Sequence, residues 1–327
     1  MPDLSTTYMG LRLRNPLIAG SSGLTGTLKS LQELQAGGVG AVVLKSIFEE
    51  EIAAEYANVL AEAQRKGMSL ESYDYYDYQV RGERVGGYVE LVRQAKKTLS
   101  IPVIASINCT YSYEWASFAR DIEAAGADGL ELNMFFLPSD TKRSSEEREK
   151  EYFLIVERVL QQLHIPLALK ISSSFSTLAQ MIERLSRTGV SALVLFNRFY
   201  SIDFDIETMS VTGANTLSTP AEIALPLRWT ALMARRVSCD IAASSGVHDG
   251  TALVKLLLAG AKAVQAVSTF YENGAGHAAT MLRDLGAWMD RHGYKTIADF
   301  RASMSQAESA DPAAFERVQF MRHYAAD

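Results

Sequence analysis

The chain has 327 residues, 48% hydrophobic and 21% charged, with a net charge of −6 at neutral pH. No apolar run approaches the roughly 18 residues of a membrane span, and an acidic balance without a long Lys/Arg run argues against nucleic acid or an anionic membrane surface as the main partner. Small molecules remain as the expected partners. The only cysteines, Cys109 and Cys239, are too few for a cysteine-ligated iron–sulfur cluster or an all-cysteine zinc site, so no metal is expected and redox chemistry must use a bound organic cofactor. The start, Met1 to Thr7, lacks the basic-then-apolar order of a signal peptide, which gives a cytoplasmic expectation.

In chain order, short apolar runs at Leu17 to Ala19, Ala41 to Leu44, Val103 to Ile107, Gly129 to Leu132, Leu167 to Ile171, Ala192 to Phe196, Ile241 to Ala243 and Ala263 to Val267 read as eight buried strands. Amphipathic stretches alternate with them: Leu28 to Leu34, Trp115 to Ala125, Phe153 to Leu163, Leu178 to Leu185, Leu227 to Arg236 and Ala252 to Leu258. Strand and helix alternation means parallel βαβ units. The expected fold is α/β, a (β/α)8 TIM barrel formed by residues 1–327 as a single domain. Glycines that follow the helical stretches, Gly38, Gly126, Gly189 and Gly260, read as C-caps that turn each helix into the next strand.

Three connections are too long for simple turns: Glu49 to Glu90, with the cluster Tyr73-Asp74-Tyr75-Tyr76-Asp77-Tyr78, then Met134 to Lys150, and Asn197 to Thr219. All follow strands, so these long βα-loop insertions are expected over the C-terminal face, where barrels of this kind bind ligands.

Two late units, Asp240 to Val247 and Ala263 to Thr269, each stop an apolar run at small residues before a helical pattern. Such a tandem pair of turns, with backbone N–H groups and helix N-termini, suits a phosphate. Lys45 and Lys170 end the second and fifth strands, and Asn108, Asn133 and Asn197 end three others. Either type alone is an ordinary strand exit or turn residue; together they form a ring of amide and ammonium donors suited to a planar, anionic heterocycle.

These residues resemble, in order and spacing, those of the dihydroorotate dehydrogenases, FMN-dependent (β/α)8 barrels, and in particular their soluble class 1 branch. The likeness runs from Asn15-Pro16-Leu17-Ile18 through Ser21-Ser22-Gly23, Leu44-Lys45-Ser46, Ala105-Ser106-Ile107-Asn108, Glu131-Leu132-Asn133, Lys170, Asn197, Ser245-Gly246-Val247 and Ser268-Thr269 to Gly293-Tyr294-Lys295-Thr296-Ile297-Ala298-Asp299-Phe300. The resemblance implies that Ser21, Ser22, Gly23, Lys45, Ser46 and Asn108 lie along the flavin, with Lys170 at its pyrimidine end. It implies that Ser245, Gly246, Ser268 and Thr269 hold the FMN phosphate, that Lys45, Asn133 and Asn197 face both cofactor and substrate, and that the protein is a homodimer.

The substrate half departs from the pattern. Where the family has a catalytic Cys or Ser this chain has Phe136, and Pro138 replaces a substrate-binding asparagine. No asparagine-rich stretch is recognisable in Ser69 to Gly87, Arg198 follows Asn197 in place of a small hydroxyl residue and adds a cation and bulk there, and Ser218-Thr219-Pro220-Ala221 replaces a glycine-rich run. Ser139, Tyr111 and Cys109 are weak substitutes for the base, each with an ordinary packing or loop role open to it; His248 also reads as a loop residue. The leading expectation is an FMN-dependent oxidoreductase acting on dihydroorotate or a related dihydro-heterocycle. An FMN-binding pseudoenzyme and a flavin-free barrel acting on a phosphorylated substrate are the competing readings.

Overall fold

The structure, a computed structural model, describes residues 2–48, 86–108, 115–199 and 201–316. The Tyr73 to Tyr78 cluster, Cys109 and Tyr111 lie outside the described residues. Eight parallel strands close on themselves: β3 (Leu17–Ala19), β4 (Ala41–Val43), β6 (Val103–Asn108), β7 (Gly129–Asn133), β8 (Leu167–Ile171), β9 (Ala192–Leu195), β12 (Asp240–Ser244) and β13 (Ala263–Ala266), with β13 pairing back to β3. This is the expected (β/α)8 barrel. A further short strand, β5 (Ile47–Phe48), continues beyond β4 and pairs with the end of β6.

The helices between strands are α1 (Leu28–Gly37), α2 (86–98), α3 (Trp115–Ala124), α4 (Ser145–Leu160), α5 (Leu178–Ser186), α6 (Ala224–Met233) and α7 (Gly250–Ala259). After β13 come α8 (Ser268–Asn273) and α9 (His277–His292). The expected exit glycines adopt left-handed φ values, +112° at Gly38, +95° at Gly126, +100° at Gly189 and +121° at Gly260, which a residue with a Cβ adopts only at a cost. The excursion after β7 is shorter than its sequence implies. Ser144 accepts a hydrogen bond from the Glu147 N–H, and Glu147 accepts one in return, so the chain becomes helical from Ser145 onward.

Alternate side chains along each strand face opposite ways. Leu130, Leu132, Leu167, Leu169, Leu193, Leu195, Ile241 and Val264 point outward into a shell shared with the helices. Ile18, Ala41, Val43, Ile104, Ala168, Ala192, Val194, Ala242 and Ala263 point inward and form a second, separate core. An unforeseen antiparallel hairpin, β1 (Thr6–Tyr8) and β2 (Leu11–Leu13), inserts Tyr8, Met9 and Leu13 into that inner cluster and plugs the N-terminal end of the barrel. Each fully buried side chain of this size contributes about 1.5–3 kcal/mol by leaving water, so the plug stabilises the lower barrel substantially. The other end is left for ligands.

Candidate functional site

Proceeding from the plugged end to the open end, the inward-facing residues become polar. On β6 Ile104 is followed by Ser106 and Asn108; on β8 Ala168 by Lys170; on β12 Ala242 by Ser244; on β13 Ala263 by Gln265. The strand period of two thus delivers one polar side chain from several strands to a common layer. A cavity of about 450 Å³ opens above it, within the size range of small-molecule sites.

Of the residues expected at the site, Ser21, Ser22, Gly23, Lys45, Ser46, Asn133, Lys170, Asn197, Ser245, Gly246 and Ser268 all border this cavity. Asn108 is buried at the end of β6, opposite Phe48 of β5, and among the described residues neither its Oδ1 nor the buried Oδ1 of Asn133 has a hydrogen-bond partner. Thr269 is fully buried, and its hydroxyl donates to the His248 carbonyl at 3.1 Å, which leaves only its backbone for a ligand. Ser139 stands apart: it is exposed on the loop after β7 and does not border the cavity.

Serine hydroxyls fix one wall. Ser21 Oγ accepts from the Ser46 N–H at 2.9 Å, and Ser46 Oγ lies 2.7 Å from Ser106 Oγ. Between the pairings of β6 with β4 and with β5, the Ser106 backbone is satisfied by Tyr88 of α2, whose hydroxyl accepts from its N–H at 2.7 Å and donates to its carbonyl at 3.0 Å. Burial pushes the Tyr88 phenol well up, so it stays a neutral donor.

The loop after β7 runs differently from its expected placement. Phe136, at the position of the family's base, is buried in the outer core, with its ring edge-on to Tyr152 at 5.3 Å. Phe135 borders the cavity instead, stacked on Phe199 with ring centroids 3.8 Å apart. Asn197 donates its amide to the Met134 carbonyl at 3.0 Å and holds the start of this loop to the barrel rim.

Arg198 does not add an uncompensated cation beside Asn197, as the sequence implies. Its guanidinium pairs with Glu222 at 2.6 Å and donates to the carbonyls of Asn215, Thr216 and Leu217. Burial opposes ionisation of Glu222, but Arg198 and the Thr219 N–H outweigh it and hold the carboxyl below its usual range. The clasp closes the base of a hairpin, β10 (Ser201–Asp205) and β11 (Ser210–Ala214), and returns the chain to α6.

That returning segment completes the far end of the cavity. Ser245 and Gly246 turn with φ of +86° and +70°, and Ser218 donates through both its N–H and its hydroxyl to Ser268 Oγ, at 2.8 and 3.0 Å. His248 Nε2 lies 3.2 Å from Ser218 Oγ, and its Nδ1 lies 3.3 Å from Glu272. Sequence reasoning missed Ser218 and gave His248 only a loop role, because their meeting depends on the return of a long excursion. It also passed over Glu131 and Gln265, although the strand alternation that placed Lys170 places both of them inside the barrel.

A family model described as dihydroorotate dehydrogenase matches residues 3–289. The chain is similar to the dihydroorotate dehydrogenase B (NAD(+)) catalytic subunit of Thermoplasma acidophilum, 25% identical over 316 residues that span 91% of this chain and 98% of that protein. It is similar to the protein of the same name from Methanothermobacter thermautotrophicus, 26% identical over 312 residues, 90% and 96% of the two chains. Similarity extends to the chloroplastic dihydropyrimidine dehydrogenase (NADP(+)) of Arabidopsis thaliana, at 22% identity over 331 residues, 93% and 78% of the two chains. With the match covering most of its length, the chain belongs to the dihydroorotate dehydrogenase family.

Proposed function

We propose that the protein is an FMN-dependent dehydrogenase acting on a CH–CH bond of dihydroorotate or a related dihydro-heterocycle, the reaction class of pyrimidine biosynthesis. The observation that carries the cofactor is the layer of polar side chains at the open end, where Lys45, Ser46, Asn133, Lys170 and Asn197 border one cavity. A planar heterocycle bearing N–H groups and carbonyls suits such a layer of donors and acceptors. Lys170 in the cavity wall supplies the cation that negative charge on such a ring needs. When bound, FMN supplies the hydride acceptor. Ser21, Ser22, Gly23, Lys45, Ser46, Asn108 and Lys170 would hold the ring, and Ser245, Gly246, Ser268 and the Thr269 backbone the phosphate. Asn133, Asn197 and Lys45 would face the substrate, bounded by Phe135.

Protein purified without added cofactor is expected to carry flavin absorbance, or to take up one FMN per chain on reconstitution. Colourless protein that fails to bind FMN in an equilibrium titration would refute the assignment.

The homodimer we propose rests on the hairpin of β10 and β11. Ile202, Phe204 and Val211 share one face, Phe204 opposite Val211, while Asp203, Asp205, Ser210 and Thr212 occupy the other. The apolar face lies open, with Phe204 at 64% and Val211 at 69% exposure. A two-stranded hairpin is marginal by itself, and a contiguous apolar face of this kind marks an association surface. Phe204→Asp is expected to convert a dimer to monomer in sedimentation velocity; an unchanged mass would place the interface elsewhere. The compartment we assign is the cytoplasm, where the free Cys239 thiol persists.

A further inference from the structure

Directly beneath the cavity, three inward-facing side chains from three strands form a closed polar group. Lys170 Nζ donates to Gln265 Oε1 at 2.9 Å, Gln265 Nε2 donates to Glu131 Oε2 at 2.5 Å, and Glu131 Oε1 lies 3.7 Å from the Lys170 ammonium. Glu131 and Gln265 are each 1% exposed and Lys170 9%. Lys170 and Gln265 border the cavity; Glu131 does not. The carboxylate therefore stands behind the ammonium, away from any ligand.

Among the described residues, Glu131 Oε1 has no hydrogen-bond partner. An O–H there would be a buried donor facing the Lys170 ammonium, itself a donor, while Gln265 turns its NH2 group to the same carboxyl. An ionised oxygen keeps the ammonium as its counter-charge, so the geometry favours carboxylate with ammonium. The two charges cancel in sum, and the field that Lys170 sends into the cavity is reduced by the negative charge 3.7 Å away. In a site sheltered from water that subtraction is large. The bridging amide also fixes where the ammonium sits, since Gln265 can donate to Glu131 and accept from Lys170 in only one orientation.

We propose that Glu131 and Gln265 are positioning residues that act through Lys170 to set the reduction potential of the bound flavin, with Glu131 holding it lower than Lys170 alone would. This inference rests on the FMN reading above. The two charges then act in opposite directions on one equilibrium: the ammonium favours the reduced cofactor and the buried carboxylate opposes it.

The test is an anaerobic dye-linked titration of the FMN-loaded protein. Lys170→Met should move the potential negative. Glu131→Gln, which keeps shape and removes charge, should move it positive, by about tenfold in the oxidised-to-reduced equilibrium, or about 30 mV for a two-electron couple. Glu131→Asp retains the charge and should stay closer to the parent than Glu131→Gln. An unchanged potential in Glu131→Gln, or an equal shift in Glu131→Asp, overturns the inference. If Glu131→Gln does not fold, Glu131→Met, which also removes the charge at similar length, must move the potential positive; no shift or a negative one is equally fatal. Parent protein that takes up no FMN defeats the cofactor reading itself, a result obtained before any variant is titrated.

Discussion

Gly246→Val is expected to lower FMN affinity by on the order of a hundredfold or more, equivalent to about 3 kcal/mol. A Cβ at this position would stand 2.1 Å from the Ile223 backbone nitrogen and 2.7 Å from the Glu222 carbonyl carbon, at a φ of +70° that favours glycine. The opposing backbone cannot yield easily. Glu222 is tied to Arg198 and to the Thr219 N–H, and the helix that follows buries Pro226, Thr230, Ala231 and Met233. Relief must come from the Ser245-Gly246 turn, or from the segment carrying Ser218, and each of these borders the cavity at the end we propose for the phosphate. Overpacking of this kind also costs about 1–3 kcal/mol of stability, so the measurement is FMN titration of folded variant, with circular dichroism as the check on folding. Parent-like affinity would move the phosphate away from this turn.

The barrel was legible because its strands are buried on both faces and therefore read as continuous apolar runs, and because left-handed helix exits require glycine. Lys45, Lys170 and the strand-end asparagines were legible for a related reason: each ends an apolar strand, and the strand ends of such a barrel form its ligand-binding rim. What remained hidden depends on partners far apart in the chain. Arg198 reads as an added cation until Glu222, Asn215, Thr216 and Leu217 are seen around it. Glu131 was passed over because its partners, Gln265 and Lys170, come from strands far along the chain. The plug of β1 and β2 escaped notice because its strands have three residues each, and its turn places Met9 as well as Gly10 at positive φ, +55° and +77°, where turn chemistry predicts Asn or Gly. The side-chain direction of Phe136 was also invisible, since position in a motif does not say which way a loop residue faces.

That direction bears on chemistry, and dihydroorotate is expected to reduce the flavin in this protein about 10²–10⁴-fold more slowly than in a class 1 enzyme with cysteine at the base position. Removing hydride from one carbon requires a proton to leave its neighbour, and the group placed to take that proton supplies a factor of this size. Phe136 cannot accept a proton, and its ring is packed against Tyr152 in the core. Its neighbour Phe135 presents an apolar surface to the cavity. Pro138 and Ser139 are both exposed, and the guanidinium of Arg198 is already engaged by Glu222, so none of these offers a ready replacement for the missing base or amide. Phe136→Cys should not restore the rate. The new thiol would face the space left beside Tyr152, and emptying that space costs about 3–5 kcal/mol when an aromatic ring is cut to a small side chain. Stopped-flow mixing of oxidised protein with dihydroorotate measures the rate directly, and a panel of dihydropyrimidines in the same apparatus identifies a better substrate by faster bleaching. Bleaching by dihydroorotate at the rate of an ordinary class 1 enzyme would contradict the expectation, and a large drop in Ser139→Ala would then show that the loop brings its hydroxyl inward to act as the base.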